Sequence, residues 1–292
     1  MRSLLFTPGG SEKMLDKGLL SAADVLVVDL EDAIAPDGKE AARATTAAFL
    51  ASHTGTSDRP RIYVRINDLE SGLAQADLEA IVPHRPDGIM LPKPKSGDDV
   101  RALASTLQSL EGANGVEPGA LSIFVLVLEI PEAVLNIASF QDCGSRVTGF
   151  TWGAEDLAAA IGAKTNRDAS GQYSAPFALA RNLCLYAAAA AGVAAIDTVF
   201  TDFRNADGLE HDAREAARDG FSGKLAIHPD QVAIINEAFT PSAEEVAQAQ
   251  RIVDAFDAAP GAGAVGLDGM MVDRPHLVAA TRTLERARLA AK

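Results

Sequence analysis

Hydrophobic and polar residues alternate along this chain in blocks of two kinds. Short apolar runs, such as DVLVVDL (24–30), RIYVRI (61–66) and SIFVLVLEI (122–130), end in charged or amide side chains. Such uninterrupted runs are typical of strands buried on both faces of a parallel sheet. Longer segments with helical spacing, such as GKEAARATTAAFLA (38–51), lie between them. The pattern therefore predicts a repeated strand–helix unit.

Eight such units follow one another. The predicted strands share short length and high apolar content and are 3–7, 24–30, 61–66, 87–91, 122–130, 147–152, 194–200 and 224–228. Open doubly wound sheets usually have fewer strands, and no GxGxxG fingerprint follows the first strand. The count favours one (β/α)8 barrel over residues 1–236, with residues 237–292 as a C-terminal helical extension.

The intervening segments are expected to be helical. The predicted helices begin after Ser11 and at 38–51, 73–81, 97–110, 131–140, 175–191, 207–219, 230–239, 242–258 and 275–290. The segment PGAGAVGLDGMMVD (260–273) is expected to be a glycine-rich loop.

Polar side chains follow nearly every predicted strand. In a barrel of this type the chemistry lies at the C-terminal ends of the strands. Buried charges are costly unless they are paired, so their concentration there needs an explanation. One explanation is a rim of paired, solvated charges, and the other is a metal-assisted site. The strand ends carry Asp29, Glu31 and Asp32, then Arg65 and Asn67, Lys93, Glu129, Glu155 and Asp156, Asp197 and Asp202, and His228.

Two of these carboxylates are candidate metal ligands. Glu129 ends the run VLVLE and Asp156 follows the run VTGFTW, which are predicted to be adjacent strands. Mg²⁺ prefers carboxylate oxygens and usually takes only one or two from the protein. The chain has no cluster of Cys and His that would indicate zinc. We expect Glu129 and Asp156 to hold Mg²⁺.

Two cations at the same strand ends are candidate substrate contacts. The planar guanidinium of Arg65 suits both oxygens of a substrate carboxylate. Its alternative role is a salt bridge to Glu31 or Asp32, and the two roles can coexist. Lys93 either contacts the substrate, for example a phosphate, or only ends a strand. His228 is a possible base but is more simply expected to pack beneath the site.

Composition narrows the class of protein. The chain has 292 residues, of which 48% are hydrophobic, so a large core is available. The formal net charge of −14 argues against nucleic acid or an anionic membrane as the main partner, while an anionic small molecule remains possible. Cys143 and Cys184 have no metal or redox spacing and are expected to be buried free thiols. The longest apolar stretch, 183–196, is shorter than the ~20 residues that span a bilayer, so a cytoplasmic protein is expected.

Several segments, taken in order along the whole chain, together carry a resemblance to one family. They are RSLLFTPG (2–9), VVDLEDAIAPDGKEAAR (27–43), VRIN (64–67), GIMLPK (88–93), WGAEDLAAAIGA (152–163), AAIDTVFTD (194–202), GFSGKLAIHPDQV (220–232) and DGMMVDRP (268–275). In combination they resemble the citrate lyase β-subunit-like branch of the HpcH/HpaI aldolases.

The resemblance implies a TIM barrel of the phosphoenolpyruvate/pyruvate-binding type and a specific chemistry. Members make or break a carbon–carbon bond in 3-hydroxyacyl-CoA thioesters such as malyl-, citramalyl- or citryl-CoA, releasing an oxo acid and an acyl-CoA. The family's Mg²⁺ carboxylates fall on Glu129 and Asp156, and its oxo-acid arginine falls on Arg65. An aspartate that enters the neighbouring subunit's site falls on Asp273. The family implies a homotrimer or hexamer.

Two segments depart from the family pattern. After the fifth strand the family often has Glu-Thr-x-x-Gly, whereas here Ile-Pro-Glu-Ala follows Glu129. The first loop often has an arginine after Pro-Gly, whereas here the sequence is GGSEKM and Lys13 is the nearest cation.

Two alternative functions are a malyl-CoA thioesterase and a citrate lyase β subunit that acts on a carrier-protein thioester within a complex.

Overall fold

A closed barrel of eight parallel strands forms the centre of the fold. The computed structural model describes residues 1–56 and 58–290. Each strand pairs with the next along the chain, and the last pairs with the first. The predicted (β/α)8 barrel is confirmed. The strands are β1 (Ser3–Pro8), β2 (Val25–Asp29), β3 (Arg61–Arg65), β4 (Gly88–Leu91), β5 (Ser122–Leu128), β6 (Val147–Trp152), β7 (Ala194–Asp197) and β8 (Gly223–Ala226).

Helices alternate with the strands of the barrel, as the apolar spacing predicts, and the last two helices lie after residue 236. Three short 3₁₀ segments, Pro36–Gly38, Val82–His84 and Ile137–Asp142, accompany them. In chain order the helices are α1 (Glu12–Leu19), α2 (Lys39–His53), α3 (Ala74–Ile81), α4 (Gly97–Ala113), α5 (Pro131–Leu135), α6 (Ala154–Ile161), α7 (Ala175–Ala191), α8 (Ala206–Asp219), α9 (Pro229–Phe239), α10 (Ala243–Asp257) and α11 (Arg274–Ala290).

Alternate residues of the strands fill the barrel interior. Side chains of successive strand residues point to opposite faces, so one set meets inside and the other packs under the helices. The inner set contributes large apolar side chains from nearly every strand, which makes the barrel a packed core open for chemistry only at its end. It comprises Leu4, Val25, Val27, Tyr63, Met90, Phe124, Leu126, Ile196 and Leu225.

The chain divides into two compact units, residues 1–236 and 237–292. Within the second unit, α10 packs on α11. The same unit contains an antiparallel pair, β9 (Ala264–Leu267) and β10 (Met270–Asp273). The expectation of a glycine-rich loop over 260–273 is therefore wrong for most of the segment. Asp268 and Gly269 both have positive φ, 54° and 79°, which suits the two-residue turns that close hairpins.

Two further expectations about local structure are wrong. Residues 154–161 form α6, whereas the sequence predicts no helix there, so Asp156 lies in the first turn of a helix instead of at a strand end. The single helix expected over 131–140 ends at Leu135 and continues as a 3₁₀ segment. Ser11 is at the N-cap of α1 as expected, but its side chain makes no capping hydrogen bond.

Both cysteines are buried free thiols, as expected, and burial raises the pKa of each. In the described residues, no helix combines the length and the apolar character needed to cross a membrane.

A buried ionic cluster joins the barrel to its helices beside β7 and β8. Lys224 on β8 is fully buried, and its Nζ lies 2.6 Å from Asp212 Oδ2 on α8 and 3.3 Å from Asp197 Oδ2 on β7. Arg167 donates to Asp212 at 2.8 Å, and Trp152 Nε1 donates to Asp197 at 2.8 Å. Because Leu225 and Ile196 face the interior, their neighbours Lys224 and Asp197 face the helices.

Removing the charge at this cluster should destabilise the fold. We expect Lys224→Met to lower the free energy of unfolding by about 3–5 kcal/mol, because two buried carboxylates lose their shared cation. Denaturant unfolding measures this value. Arg101→Met, which removes the exposed ion pair between Arg101 and Asp98, serves as the control and should change it little. Equal stability of the Lys224→Met and Arg101→Met variants would contradict the structural role of Lys224.

Candidate metal centre and active site

The C-terminal mouth of the barrel opens into a cavity of about 960 Å³. Three of the predicted site residues, Arg65, Glu129 and Asp156, line it together. Lys93 contacts the same group through Asp156. The fold thus brings four of the five residues selected from the sequence to one place. The fifth, Asp273, lies in the second compact unit.

Glu129 is the most buried carboxylate of this group. It follows β5 directly, and only 1% of it is exposed. Its Oε2 accepts a hydrogen bond from the backbone N–H of Lys93 at 2.8 Å. Burial, with the nearby negative charges of Asp156 and Glu31, raises the pKa of Glu129 to about 8. A cation at this carboxylate would oppose that rise and favour its ionised form.

A glycine allows the next element to approach Glu129. Gly153 precedes α6, and a Cβ built there would lie 2.7 Å from Glu129 Cγ and 2.9 Å from Glu129 Oε1. Its φ of −117° suits any residue, so the requirement for glycine is steric. Gly153 is not among the site residues predicted from the sequence. The change from an apolar run to Gly-Ala-Glu-Asp is the signal that marks it, because glycine often precedes a helix.

Asp156 is presented by a helix N-terminus. It lies in the first turn of α6 next to Glu155, where the helix dipole and free backbone N–H groups favour negative charge. Its side chain is 32% exposed, and Oδ1 lies 3.2 Å from Lys93 Nζ. Glu155 is engaged differently, because its Oε1 accepts a hydrogen bond from Asn166 at 2.7 Å. Of the adjacent pair, Asp156 is therefore the one joined to Lys93.

Arg65 is held by a carboxylate on the neighbouring strand. Its Nε and Nη2 donate to the two oxygens of Asp29 at 2.8 and 2.7 Å, which is a bidentate pair. Although burial disfavours its charged form, the hydrogen bonds to Asp29 raise the pKa of Arg65. Its Nη1 lies 2.9 Å from Glu31 Oε2 and 3.5 Å from Asp32 Oδ2. The alternative weighed from the sequence, an ion pair to Glu31 or Asp32, is thus present, while substrate contact stays a prediction.

Lys93 balances several carboxylates at once. Its Nζ lies 2.7 Å from Glu31 Oε1, 3.4 Å from Asp32 Oδ1 and 3.2 Å from Asp156 Oδ1. Glu31 is paired with both cations, because its Oε2 also lies 2.9 Å from Arg65 Nη1, although this contact does not have hydrogen-bond geometry. Burial raises the pKa of Glu31 to about 7. The two cations therefore leave negative charge at this mouth only partly balanced.

The donor set of this mouth fits a hard divalent cation. Five carboxylates face two cations, which leaves three formal negative charges; the carboxylates are Asp29, Glu31, Asp32, Glu129 and Asp156, and the cations are Arg65 and Lys93. Within residues 1–56 and 58–290, no group of three or more Asp, Glu, His or Cys side chains has the arrangement of a complete metal site. Mg²⁺ usually takes only one or two carboxylates from the protein, and water and substrate supply the remaining ligands.

Two other strand-end residues have different surroundings. Trp152 is fully buried, and its Nε1 donates to Asp197. His228 faces the cavity, is 40% exposed and stacks on Phe203 at a ring distance of 5.1 Å. The expectation that His228 packs beneath the site is therefore wrong.

Asp273 is the last residue of β10 in the second unit, and its side chain pairs with His276 in the first turn of α11. His276 Nδ1 lies 2.5 Å from Asp273 Oδ1, and this contact lowers the pKa of Asp273. A role in the site of a neighbouring subunit stays a prediction.

Comparisons with known proteins identify the family. The family model described as HpcH/HpaI aldolase/citrate lyase matches residues 2–229. The chain belongs to this family. A (3S)-malyl-CoA thioesterase of Cereibacter sphaeroides is 34% identical over 288 residues, covering 98% of this chain and 94% of that protein. The citrate lyase subunit beta of Escherichia coli K12 is also 34% identical, over 290 residues, covering 99% and 93%. The mitochondrial citramalyl-CoA lyase of Rattus norvegicus is 35% identical over 290 residues, covering 94% and 82%.

Solved structures show the same relationship. The CitE protein of Mycobacterium tuberculosis in complex with magnesium, acetoacetate and coenzyme A superposes with a TM-score of 0.80, at 32% identity and 98% coverage of both chains. The citrate lyase beta subunit of the same organism with oxaloacetate and magnesium gives 0.70, at 32% identity, covering 82% of this chain and 96% of that one. Membership confirms the predicted family and the prediction of a lyase-type enzyme, and the magnesium in both structures agrees with the predicted cofactor.

The close approach at Gly153 provides a test of the metal centre. We expect Gly153→Ala to weaken divalent-cation binding by about 10–100-fold, because the added Cβ forces the Glu129 carboxylate to move. Calorimetric titration with Mn²⁺ measures the affinity. Gly112→Ala on α4, where the added Cβ meets open space, is the matched control and should bind as the wild type does. Unchanged affinity in Gly153→Ala would mean that Glu129 is not a ligand.

Proposed function

We propose that this chain is a Mg²⁺-dependent carbon–carbon lyase that cleaves a 3-hydroxyacyl-CoA thioester, such as malyl-, citramalyl- or citryl-CoA, into an oxo acid and an acyl-CoA. The observation that carries the proposal is the convergence of Glu129, Asp156 and Arg65 on one cavity at the barrel mouth. The relatives named citrate lyase, citramalyl-CoA lyase and malyl-CoA thioesterase support this class of substrate.

The proposed ligands of Mg²⁺ are Glu129 and Asp156. When bound there, the ion would supply electrostatic stabilisation of negative charge on an oxygen of the oxo acid. Arg65 would bind the carboxylate of that acid. Asp29 occupies Nε and one side of Nη2, so Nη1 is the part of the guanidinium that faces other anions. A nearly dry position strengthens such a contact and fixes the orientation of the substrate.

Proton transfer would use a second subunit. We assign it to Asp273 of a neighbouring chain in a homotrimer or hexamer. The Asp273 carboxylate would accept a proton from the acetyl-type carbon during condensation, while the new alkoxide takes a proton from solvent. Cleavage would be the same path reversed: the substrate hydroxyl loses its proton to solvent, and Asp273 returns a proton to the acetyl-type carbon. Lys93 would also contact the bound substrate. Its ammonium is paired with Glu31 and Asp32 and remains partly exposed.

Two alternatives use the same site. In a thioesterase, the cavity would hold the acid while water attacks the thioester carbonyl, and the thioesterase relative at 34% identity favours this candidate. In a citrate lyase β subunit, the thioester would be attached to a carrier protein, which the equally similar Escherichia coli relative favours. Percentage identity does not separate these candidates from the lyase, so the products must do so.

Product analysis separates the lyase from the thioesterase, and activity of the purified chain alone on CoA thioesters would argue against a need for a carrier-protein complex. We expect the purified protein with Mg²⁺ to cleave at least one of three thioesters into an oxo acid and an acyl-CoA. The oxo acid would be glyoxylate from malyl-CoA, pyruvate from citramalyl-CoA or oxaloacetate from citryl-CoA. Chromatography of the CoA products and an oxo-acid assay identify them. Glu129→Gln and Asp156→Asn should reduce turnover by at least roughly 10³-fold, because each removes a metal ligand. Free CoA without an oxo acid would indicate the thioesterase instead, and turnover unaffected by chelators would contradict the metal-dependent mechanism.

Mixing two inactive variants tests the shared site. Glu129→Gln loses its own metal centre, and Asp273→Asn loses the group given to a neighbour. Co-refolded or co-expressed mixtures should regain activity, because some sites then combine an intact Glu129 with an intact Asp273. Each variant alone should remain inactive, and a sizing column should show a trimer or hexamer for both. Failure of the mixed oligomer to regain activity would place the proton transfer within one chain.

A further inference from the structure

One residue touches both proposed metal ligands. Lys93 makes polar contacts with Glu129 and Asp156 at the same time. Its backbone N–H donates to Glu129 Oε2 at 2.8 Å, and its Nζ lies 3.2 Å from Asp156 Oδ1. A side chain that only ended a strand would have no reason to connect these two carboxylates.

The backbone of Lys93 is unusual in a way that serves this connection. Its φ of 49° lies in the left-handed region, which residues other than glycine, asparagine and aspartate seldom adopt. Such conformations persist where the surroundings hold them, and they concentrate at functional sites. Here the conformation directs the N–H to Glu129 while the side chain reaches the carboxylates of Glu31, Asp32 and Asp156.

The ammonium and a divalent cation require the same oxygens. The lysine head is a compact point charge that binds carboxylates from any direction. A metal ion held by Asp156 would share that carboxylate with Nζ, and two positive charges a few ångströms apart repel each other strongly in a partly buried site. Glu31 and Asp32 offer Nζ an alternative place, because both already lie within 3.4 Å of it.

We propose that Lys93 is an internal competitor for the metal centre, a cation that the divalent ion must displace from Asp156 towards Glu31 and Asp32. Lys93 thereby lowers the affinity of the centre for divalent ions. The inference rests on the proposed function in that it takes Glu129 and Asp156 as the ligands, but it concerns metal binding alone and requires no particular substrate.

The test is the Mn²⁺ affinity of the full-length protein, measured by calorimetry without substrate. Lys93→Met keeps the backbone N–H and removes the charge, and we expect it to bind Mn²⁺ about tenfold or more tightly than the wild type. Lys93→Arg keeps the charge and should remain within about threefold of the wild type. Lys95→Met, two residues along the chain and paired with the exposed Glu70, is the matched control and should not change the affinity.

Equal or weaker binding by Lys93→Met would overturn the proposal, provided that thermal unfolding shows the variant to be folded. If Lys93→Met does not fold, Lys93→Gln replaces it, with the same expected gain and the same contrary result. Absence of Mn²⁺ binding in the wild type and in every variant would overturn the metal centre itself, and this inference with it. If Lys93→Met binds Mn²⁺ more tightly but the wild-type protein cleaves no thioester, the role of Lys93 would be supported and the proposed function contradicted.

Discussion

The balance of charge at the barrel mouth is the constraint on which the site depends. Burying a carboxylate such as Glu129 is costly, and its raised pKa shows how little of that cost the protein offsets. Arg65 and Lys93 stabilise the surrounding carboxylates without neutralising them. A divalent cation would neutralise the remaining negative charge. The electrostatic cost of the carboxylate cluster and its affinity for a metal ion would then have the same physical origin.

The barrel makes that balance possible because it fixes the carboxylates before any ligand arrives. β5 ends directly at Glu129, and β3 delivers Arg65 to Asp29 on β2 at matching register positions. The packed interior leaves these strand ends little freedom to separate. Where the strands end, Gly153 and Lys93 bring backbone within contact of Glu129. The strands thus position Glu129 and Arg65, and the backbone of Gly153 and Lys93 packs against the Glu129 side chain.

The sequence predicts this architecture to different degrees in different places. Glu129 and Arg65 are found from pattern alone, because a buried strand ends visibly where its apolar run stops. Asp156 is found as a residue but not as a helical one, because α6 is only eight residues long and begins two residues after the end of β6. The partnership of Asp29 with Arg65 and the steric role of Gly153 depend on tertiary proximity, which no local pattern contains. The hairpin at Asp268 and Gly269 did have a local signal, the Asp-Gly turn, which the surrounding glycines obscured.

Relatives with three different names are similar to this chain at nearly equal identity, so overall similarity does not indicate which of their reactions it catalyses. In the proposed function, carbon–carbon cleavage and thioester hydrolysis would both begin with the substrate bound at the same two carboxylates, Glu129 and Asp156. They diverge in whether water reaches the thioester carbonyl while the acid is bound. We expect that access to depend on the apolar side chains that line the cavity, such as Met14, Leu20 and Ile227, and not on Glu129 or Asp156. In the proposed function, the metal centre would determine which bond is polarised, and this apolar wall would determine whether water reaches the thioester.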